Sequence, residues 1–224
     1  MAIRLLGTAT AATTAVVLLS ACSALAPNQH REVSYGVSAP VHKPVIEGHT
    51  GDVQVTGGGS TVSVTERQDY KSAPPHTTHT AADGTLTLTY NCLDCGVDYD
   101  VRVPTGTMVY VTEDTGAVSL TGIGGPVTAN TDTGTITGTQ LTAEQARLTT
   151  HTGGVRATFS RTPSVVHATS QTGSVNIAVP RGTRYAVQAG ARTGKVNVSV
   201  DRADDSPHAI TAKTGTGNVT VEAA

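Results

Sequence analysis

Asp114-Thr115-Gly116-Ala117-Val118, Asp132-Thr133-Gly134-Thr135-Ile136, His151-Thr152-Gly153-Gly154-Val155, Gln171-Thr172-Gly173-Ser174-Val175 and Arg192-Thr193-Gly194-Lys195-Val196 are variants of one unit. In each, a Thr-Gly pair is followed, two residues after the glycine, by a branched aliphatic residue. A further unit stands at Thr214-Gly215 or Thr216-Gly217, and an outlier at Thr50-Gly51. Successive glycines from Gly116 to Gly215 lie 18, 19, 20, 21 and 21 residues apart. So even a period points to stacked structural repeats, in which each unit buries its apolar face only against its neighbours.

Outward from each glycine the pattern alternates. Five residues before it stand Val111, Ala129, Leu148, Ala168, Ala189 and Ile210; seven before stand Val109, Val127, Ala146, Val166, Val187 and His208. Two residues after it come Val118, Ile136, Val155, Val175, Val196 and, with Gly217 as anchor, Val219. Polar residues fall between them, the period of a strand buried on one face. Each repeat therefore reads as strand, Thr-Gly corner, strand and looser return. A corner that needs φ > 0 selects glycine for steric reasons alone. The expected architecture is all-β: a single-domain β-solenoid of stacked coils of about 20 residues over 104–224.

Residues 32–103 are less regular. Strand-like runs at 45–55, 61–65, 85–90 and 97–103 flank an irregular stretch from Arg67 to Gly84. That stretch contains Pro74-Pro75 and His76-Thr77-Thr78-His79, which read as a surface loop. This part is expected to form broader, less regular β coils or hairpins that cap the open N-terminal end of the stack, since an uncovered β-stack exposes unpaired backbone groups.

The chain opens with a basic start (Met1–Arg4), an apolar stretch from Leu5 to Leu19, and Leu19-Ser20-Ala21-Cys22. The stretch is short for a membrane span and has the three-part layout of a secretory signal. Leu-Ser-Ala-Cys resembles the lipobox of bacterial lipoproteins. The resemblance implies a signal peptide at 1–21, lipid attachment at Cys22, and a polar tether over 22–31. Two acyl chains anchor durably where one binds only marginally. The membrane is then a partner through the lipid, and the location extracytoplasmic.

Loss of Arg4 with that segment takes the formal charge from −2 to −3. Such a chain has no basic stripe, and its one Phe and absent Trp leave few stacking platforms, so nucleic acid is excluded as a partner. Thr, Gly, Ala and Val suit thin, tightly stacked coils.

The run from Val97 through Asp98-Tyr99-Asp100-Val101-Arg102 to Val103-Pro104-Thr105-Gly106-Thr107, followed by the repeated Thr-Gly-x-Val units, resembles the bacterial "putative adhesin" family of β-solenoid domains related to auto-transporter adhesin heads. The resemblance covers 33–222. It implies a secreted or envelope-attached β-stack and supplies no catalytic residues.

Three constellations could carry chemistry. Cys92 and Cys95 flank Leu93-Asp94; outside the cytosol they read first as a disulfide, with a free or redox-active dithiol and a metal site as alternatives. The metal alternative draws in His76 and His79, giving two His and two Cys in an order opposite to zinc-finger spacing. Second, the residues before each Thr-Gly form a column of Asp114, Asp132, His151, Gln171, Arg192 and Lys213. At about 4.8 Å between neighbours, Asp114, Asp132 and His151 offer a second candidate cation site, weighed against solvated corners. Third, flanks of β-helices often carry polysaccharide lyases and hydrolases, which need paired carboxylates on a rigid face. Here Asp52, Asp94, Asp201, Asp204 and Asp205 fall in turns and loops, and no nucleophile elbow or phosphate cradle is present. The expectation is a non-enzymatic binding scaffold of the envelope without cofactors, taking an envelope or surface ligand. An envelope polysaccharide-processing enzyme and an accessory in envelope sensing or assembly are the alternatives.

Overall fold

The structure, a computed structural model, describes residues 28–224. The expected signal segment and Cys22 lie outside the described residues. Strands run in chain order as β1 (Gln29–Val37), β2 (Lys43–Thr50), β3 (Val53–Thr56), β4 (Val62–Tyr70), β5 (His76–Ala82), β6 (Thr85–Asn91) and β7 (Cys95–Arg102). The repeats follow as β8 (Val109–Thr115) and β9 (Val118–Thr121), β10 (Val127–Thr133) and β11 (Ile136–Leu141), β12 (Gln145–Thr152) and β13 (Val155–Phe159), then β14 (Val165–Thr172) and β15 (Val175–Val179). Last come β16 (Ala186–Thr193), β17 (Val196–Ser199), β18 (Ala209–Thr216) and β19 (Val219–Ala223). No helix is present among the described residues.

These strands form two sheets facing each other across one core. One holds ten strands in the order β1-β4-β7-β3-β9-β11-β13-β15-β19-β17, the other nine in the order β16-β18-β14-β12-β10-β8-β2-β6-β5. Each Thr-Gly corner carries the chain from the nine-stranded sheet to the ten-stranded one, so a repeat contributes one strand to each and forms one layer. Equivalent strands of adjacent layers pair in parallel: Ala129 faces Val111 on one side and Leu148 on the other, and Ile136 faces Val118 and Val155. The alternating aliphatic residues point into the core, where Val111, Ala129, Leu148, Val118, Ile136 and Val155 are buried.

The glycine corner has a packing cause. Gly153 sits at φ 143°, and a Cβ there would overlap the carbonyl of Gly134 in the adjacent layer. The same overlap recurs from Gly116 onto Gly51 and from Gly173 onto Gly153, so one corner backbone lies directly on the next. Three residues before the corner, an inward hydroxyl ties the layers: Thr150 donates to the Gly134 carbonyl at 2.8 Å, Ser170 to Gly153 at 2.8 Å and Thr214 to Gly173 at 2.7 Å. A buried hydroxyl left without such an acceptor costs about 1–3 kcal/mol.

The structure corrects the sequence reading in four places. First, Thr50-Gly51 is no outlier: Thr50 pairs with Thr115 and Val53 with Val118, making β2 and β3 a full layer. Its nearest sequence anchor is Gly116, because β4 to β7 intervene. Second, 32–103 is only partly an irregular cap. β6 and β7 form another parallel layer against β2 and β3, while β1, β4 and β5 are antiparallel additions. His76 to His79 thus belong to an edge strand and not a loop, and Gln29–Arg31 of the expected tether belong to β1.

Third, the last anchor is Gly217. Thr216 pairs with Thr172 and Thr193, so Ala212 takes the place expected of Ile210, and Ile210 that of His208, which leaves the column. Two residues after Gly215 comes Gly217, which cannot fill the aliphatic column; two after Gly217 comes Val219, which does. Fourth, the layers do not stack in sequence order. β18 and β19 lie between β14/β15 and β16/β17, and at the other end β2/β3 lies between β8/β9 and β6/β7. Inward, the inserted layer carries Ile210, Ala212, Val219 and Val221, paired in register with Val187, Ala189, Val196 and Val198 of the end layer.

Candidate binding surface

Residues immediately before the corner Thr project outward from the nine-stranded sheet. In spatial order this column is His49, Asp114, Asp132, His151, Gln171, Gly215 and Arg192, because the Gly217 anchor puts Gly215 where Lys213 is expected. Lys213 moves into the neighbouring outward column beside Thr169. Between the two columns lies an open trough of about 520 Å³, lined by Asn130, Asp132, Thr149, His151, Gln171, Arg192 and Lys213 among others. Its walls carry hydroxyl, amide, imidazole, carboxylate and cationic groups on adjacent rigid strands. It can hydrogen-bond an extended polar ligand but encloses nothing.

The expected cation sites meet other partners. Asp114 bonds His49, Nδ1 to Oδ2 at 2.7 Å, away from Asp132 and His151. Cys92 and Cys95 are joined as a disulfide with their Cα atoms 6.0 Å apart. His79 stacks on Tyr35 at 4.3 Å between centroids, and His76 faces Asn91 across the β5/β6 pair. Among the described residues no three His, Cys, Asp or Glu gather as a metal would require. The disulfide occupies the corner between β6 and β7, where other layers use Thr-Gly, and leaves Leu93 at its tip 90% exposed.

Two acids of the flank bond backbone. Asp98 accepts the N–H of Asp52 at 2.8 Å, and Asp52 in turn accepts the N–H of Ala117 at 2.8 Å, one layer on. At the other end Ser174 accepts from Asn218 at 3.2 Å and Asn218 from Lys195 at 3.0 Å. These side chains continue the ladder past the corner, where the main chain turns away. Asp201, Asp204 and Asp205 are exposed in the return between β17 and β18.

One functional group escaped the sequence reading. Glu113 stands three residues before Gly116, in the column of Thr131, Thr150, Ser170 and Thr214, yet it is 1% exposed and neither carboxyl oxygen has a hydrogen-bond partner. It fits because its neighbour is Gly48, where any Cβ would strike the carboxyl. Burial pushes its pKa up to about 8, reinforced by the negative charges of Asp114, Asp52 and Asp98. A carboxyl so placed is protonated at neutral pH. The signal was available in the sequence: a Glu aligned with Thr, Thr and Ser, opposite a Gly. One layer beyond Gly48, the Tyr90 hydroxyl donates to the Thr50 carbonyl at 2.7 Å, repeating the threonine bond with a longer arm. A second buried acid, Glu66, is satisfied: Tyr35 donates to it at 2.7 Å and Gln68 at 3.0 Å. Burial, then the bond to Glu66, drive the Tyr35 phenol upward; burial also raises Tyr99, whose hydroxyl is unpartnered.

No family model matches the chain, and no curated protein matches it. Solved structures do. A "putative cell adhesion protein" from Clostridium sporogenes superposes with a TM-score of 0.57 at 11% identity, covering 88% of this chain and 100% of that one. A "putative adhesin" from Bacteroides fragilis gives 0.43 at 14% identity, with 88% and 97% covered, and another from Parabacteroides distasonis gives 0.39 at 11%, with 86% and 97% covered. At such identity the likeness speaks to fold. The chain shares its all-β, repeat-built fold with the Clostridium sporogenes protein.

Proposed function

We propose that this chain is a lipid-anchored, extracytoplasmic β-solenoid that acts as a non-catalytic, adhesin-like binding scaffold of the cell envelope. The observation that carries the reading is the outward polar surface: rigid columns such as Thr112, Asn130, Thr149, Thr169 and Lys213, flanking an open trough rather than a cleft with paired free acids. A surface of this kind meets an extended ligand by repeated hydrogen bonds, and its rigidity limits the entropy lost on binding. Asp114 bonds His49, and Asp52 and Asp98 accept backbone N–H groups, so these carboxylates serve the ladder between layers. The Cys92–Cys95 disulfide fits an oxidising compartment, and Cys22 supplies the expected anchor.

Two experiments test the parts separately. Labelling with a fatty-acid probe is expected to mark the native chain and not Cys22→Ser, which should also leave the membrane; label kept by the variant defeats the anchoring. Isolated envelope polysaccharide is expected to retain the protein without release of reducing ends. Replacing His151, Gln171 and Arg192 together by Ala should cut retention at least about fivefold, the loss of a few polar contacts. Equal retention moves the site off the trough, and release of reducing ends establishes the enzyme instead.

A further inference from the structure

We propose that the open end of the stack, formed by β16 and β17, is the interface of a two-fold homodimer in which β16 pairs antiparallel with β16 of a second copy. The end layer is incomplete in the way a missing layer would make it. In the aliphatic column Val118, Ile136, Val155, Val175 and Val219 are 0–1% exposed, whereas Val196, next in space after Val219, is 45% exposed. Ala189, Ala191 and Val198 of the same layer are only partly buried.

Backbone polarity points the same way. Ala186 donates its N–H to His208, toward β18, while Tyr185 donates on the opposite side to Asp201. Alternate residues of a parallel strand turn their N–H and C=O to opposite edges, so those of Val187, Ala189 and Ala191 face outward. The Val187 carbonyl receives the Arg202 guanidinium at 3.4 Å, and no strand pairs with this edge among the described residues. A two-fold axis at Ala189 places each Val187 opposite an Ala191 of the other copy, so the outward groups meet in register. Such a flat, paired edge is the template on which β-strands add.

A second copy is specified over a generic strand by charge and shape. Arg192 and Lys195 are exposed at the corner end of this layer. At the other end the return loop carries Asp201, Asp204 and Asp205 against one arginine, Arg202, with Arg181 and Arg184 in the preceding turn. At that end Arg202 bridges to the outer edge of Tyr185, so the loop stands one layer higher than the corner. An antiparallel two-fold seats the raised acidic loop of one copy against the low basic corner of the other. The alternative two-fold, pairing β16 with β17, would stack corner on corner and set four cations together. With eight residues in β16 and two sheets about 10 Å apart, the face covers roughly 500 Å² per copy, near the lower limit for a specific interface. The dimer should therefore be weak and form at micromolar or higher concentration.

Sedimentation velocity on the full chain, from about 1 to 500 µM, tests this. We expect a reversible monomer–dimer transition that weakens with salt. Ala189→Pro removes an outward N–H without touching the ladder to β18, a position where a strand tolerates proline. It should raise the dissociation constant at least about tenfold, as should Val196→Lys, with the monomer's melting temperature little changed. The reversal R192E/K195E should weaken association, and adding D204K/D205K should restore it. A monomer throughout the range, a dimer indifferent to both Ala189→Pro and Val196→Lys, or tighter association on R192E/K195E alone would each overturn the proposal.

Discussion

The two ends of the stack solve the same problem differently. At one end the parallel layers are covered by antiparallel strands: β4 and β1 extend one sheet and β5 the other, bringing His30, Arg31, Glu32, His76 and His79 to the rim. At the other end β16 and β17 finish the stack with no covering strand among the described residues. Between them the layers are near-equivalents, each held by a glycine corner, an inward hydroxyl and an aliphatic column. The contrast shows that the repeat supplies stability locally while the ends decide solubility and association. It also ranks substitutions by place: the same residue change should cost much in the middle and little at the open end.

Corner glycines give the largest expected effect. Gly153→Ala places a methyl on the Gly134 carbonyl and holds a non-glycine residue at φ 143°, whereas Gly106 has open space around it. The first change should cost on the order of 4 kcal/mol and Gly106→Ala less than about 1. Urea unfolding of both variants makes the comparison, and equal costs would mean that the corner stacking is not what holds the layers.

Next in size is the aliphatic column. Leu148→Ala empties a fully buried site in the middle layer and should cost about 3 kcal/mol. Val196→Ala removes methyl groups already in contact with solvent and should cost under about 0.5 kcal/mol for the monomer. A large loss at Val196 in dilute solution would show that the end layer is covered.

Glu113 distinguishes the covered half from the rest of the stack. Its folded pKa, about 8, lies above the ordinary carboxyl value of 4.5, so the folded chain holds a proton that the unfolded chain releases. The folded chain keeps that proton up to about pH 8 whereas the unfolded chain gives it up near pH 4.5, so stability falls as pH rises between about 4.5 and 8. Glu113→Gln keeps the shape without the charge. It should be near neutral at pH 4 and stabilising by on the order of 2 kcal/mol at pH 9. Thermal melts across that range read the difference, and a variant equal to the native protein at pH 9 would mean the carboxylate finds a partner when charged.

The fold was legible in the sequence wherever one residue type answered one steric demand. Thr-Gly followed by a branched aliphatic gave the corner, its period and the inward columns, because nothing larger than Gly fits on the carbonyl beneath. Layer order was not legible. Units with the same period and pattern can stack in any order, and the inward residues of β16/β17 and β18/β19 are too alike to mark which takes the inner place. Thr50-Gly51 looked isolated because its layer neighbour lies 65 residues on, beyond an insertion that doubles back. His76 and His79 looked like loop residues because a strand at a sheet edge has no apolar side to betray it. The trough's cationic wall was half legible: Arg192 stood in the column, but Lys213 reached the trough through a register set by Gly217.

The smallest expected effect concerns the one layer that turns without Thr-Gly. Between β6 and β7 the corner is Cys92-Leu93-Asp94-Cys95, closed by the disulfide, with Asp94 at φ 55°, and Val97 rather than a glycine supplies the carbonyl beneath Gly51. A cross-link this short removes little freedom from the unfolded chain: at a sequence separation of 3, the chain-entropy relation gives about 2 kcal/mol at most. Strand pairing on both sides, to β2 and to β3 and β4, holds the same corner independently, so part of that is redundant. Reduction, or Cys92→Ser with Cys95→Ser, should therefore lower stability by about 1 kcal/mol and leave the repeats untouched. Amide exchange should quicken at the β6–β7 corner while the layers from β10 to β15 keep their protection. A zinc clip would behave oppositely, with stoichiometric metal, thiols reactive after chelation and a loss on His76→Ala. Loss of protection through the whole stack on reduction would show that this corner, rather than the glycine ladder, fixes the covered end.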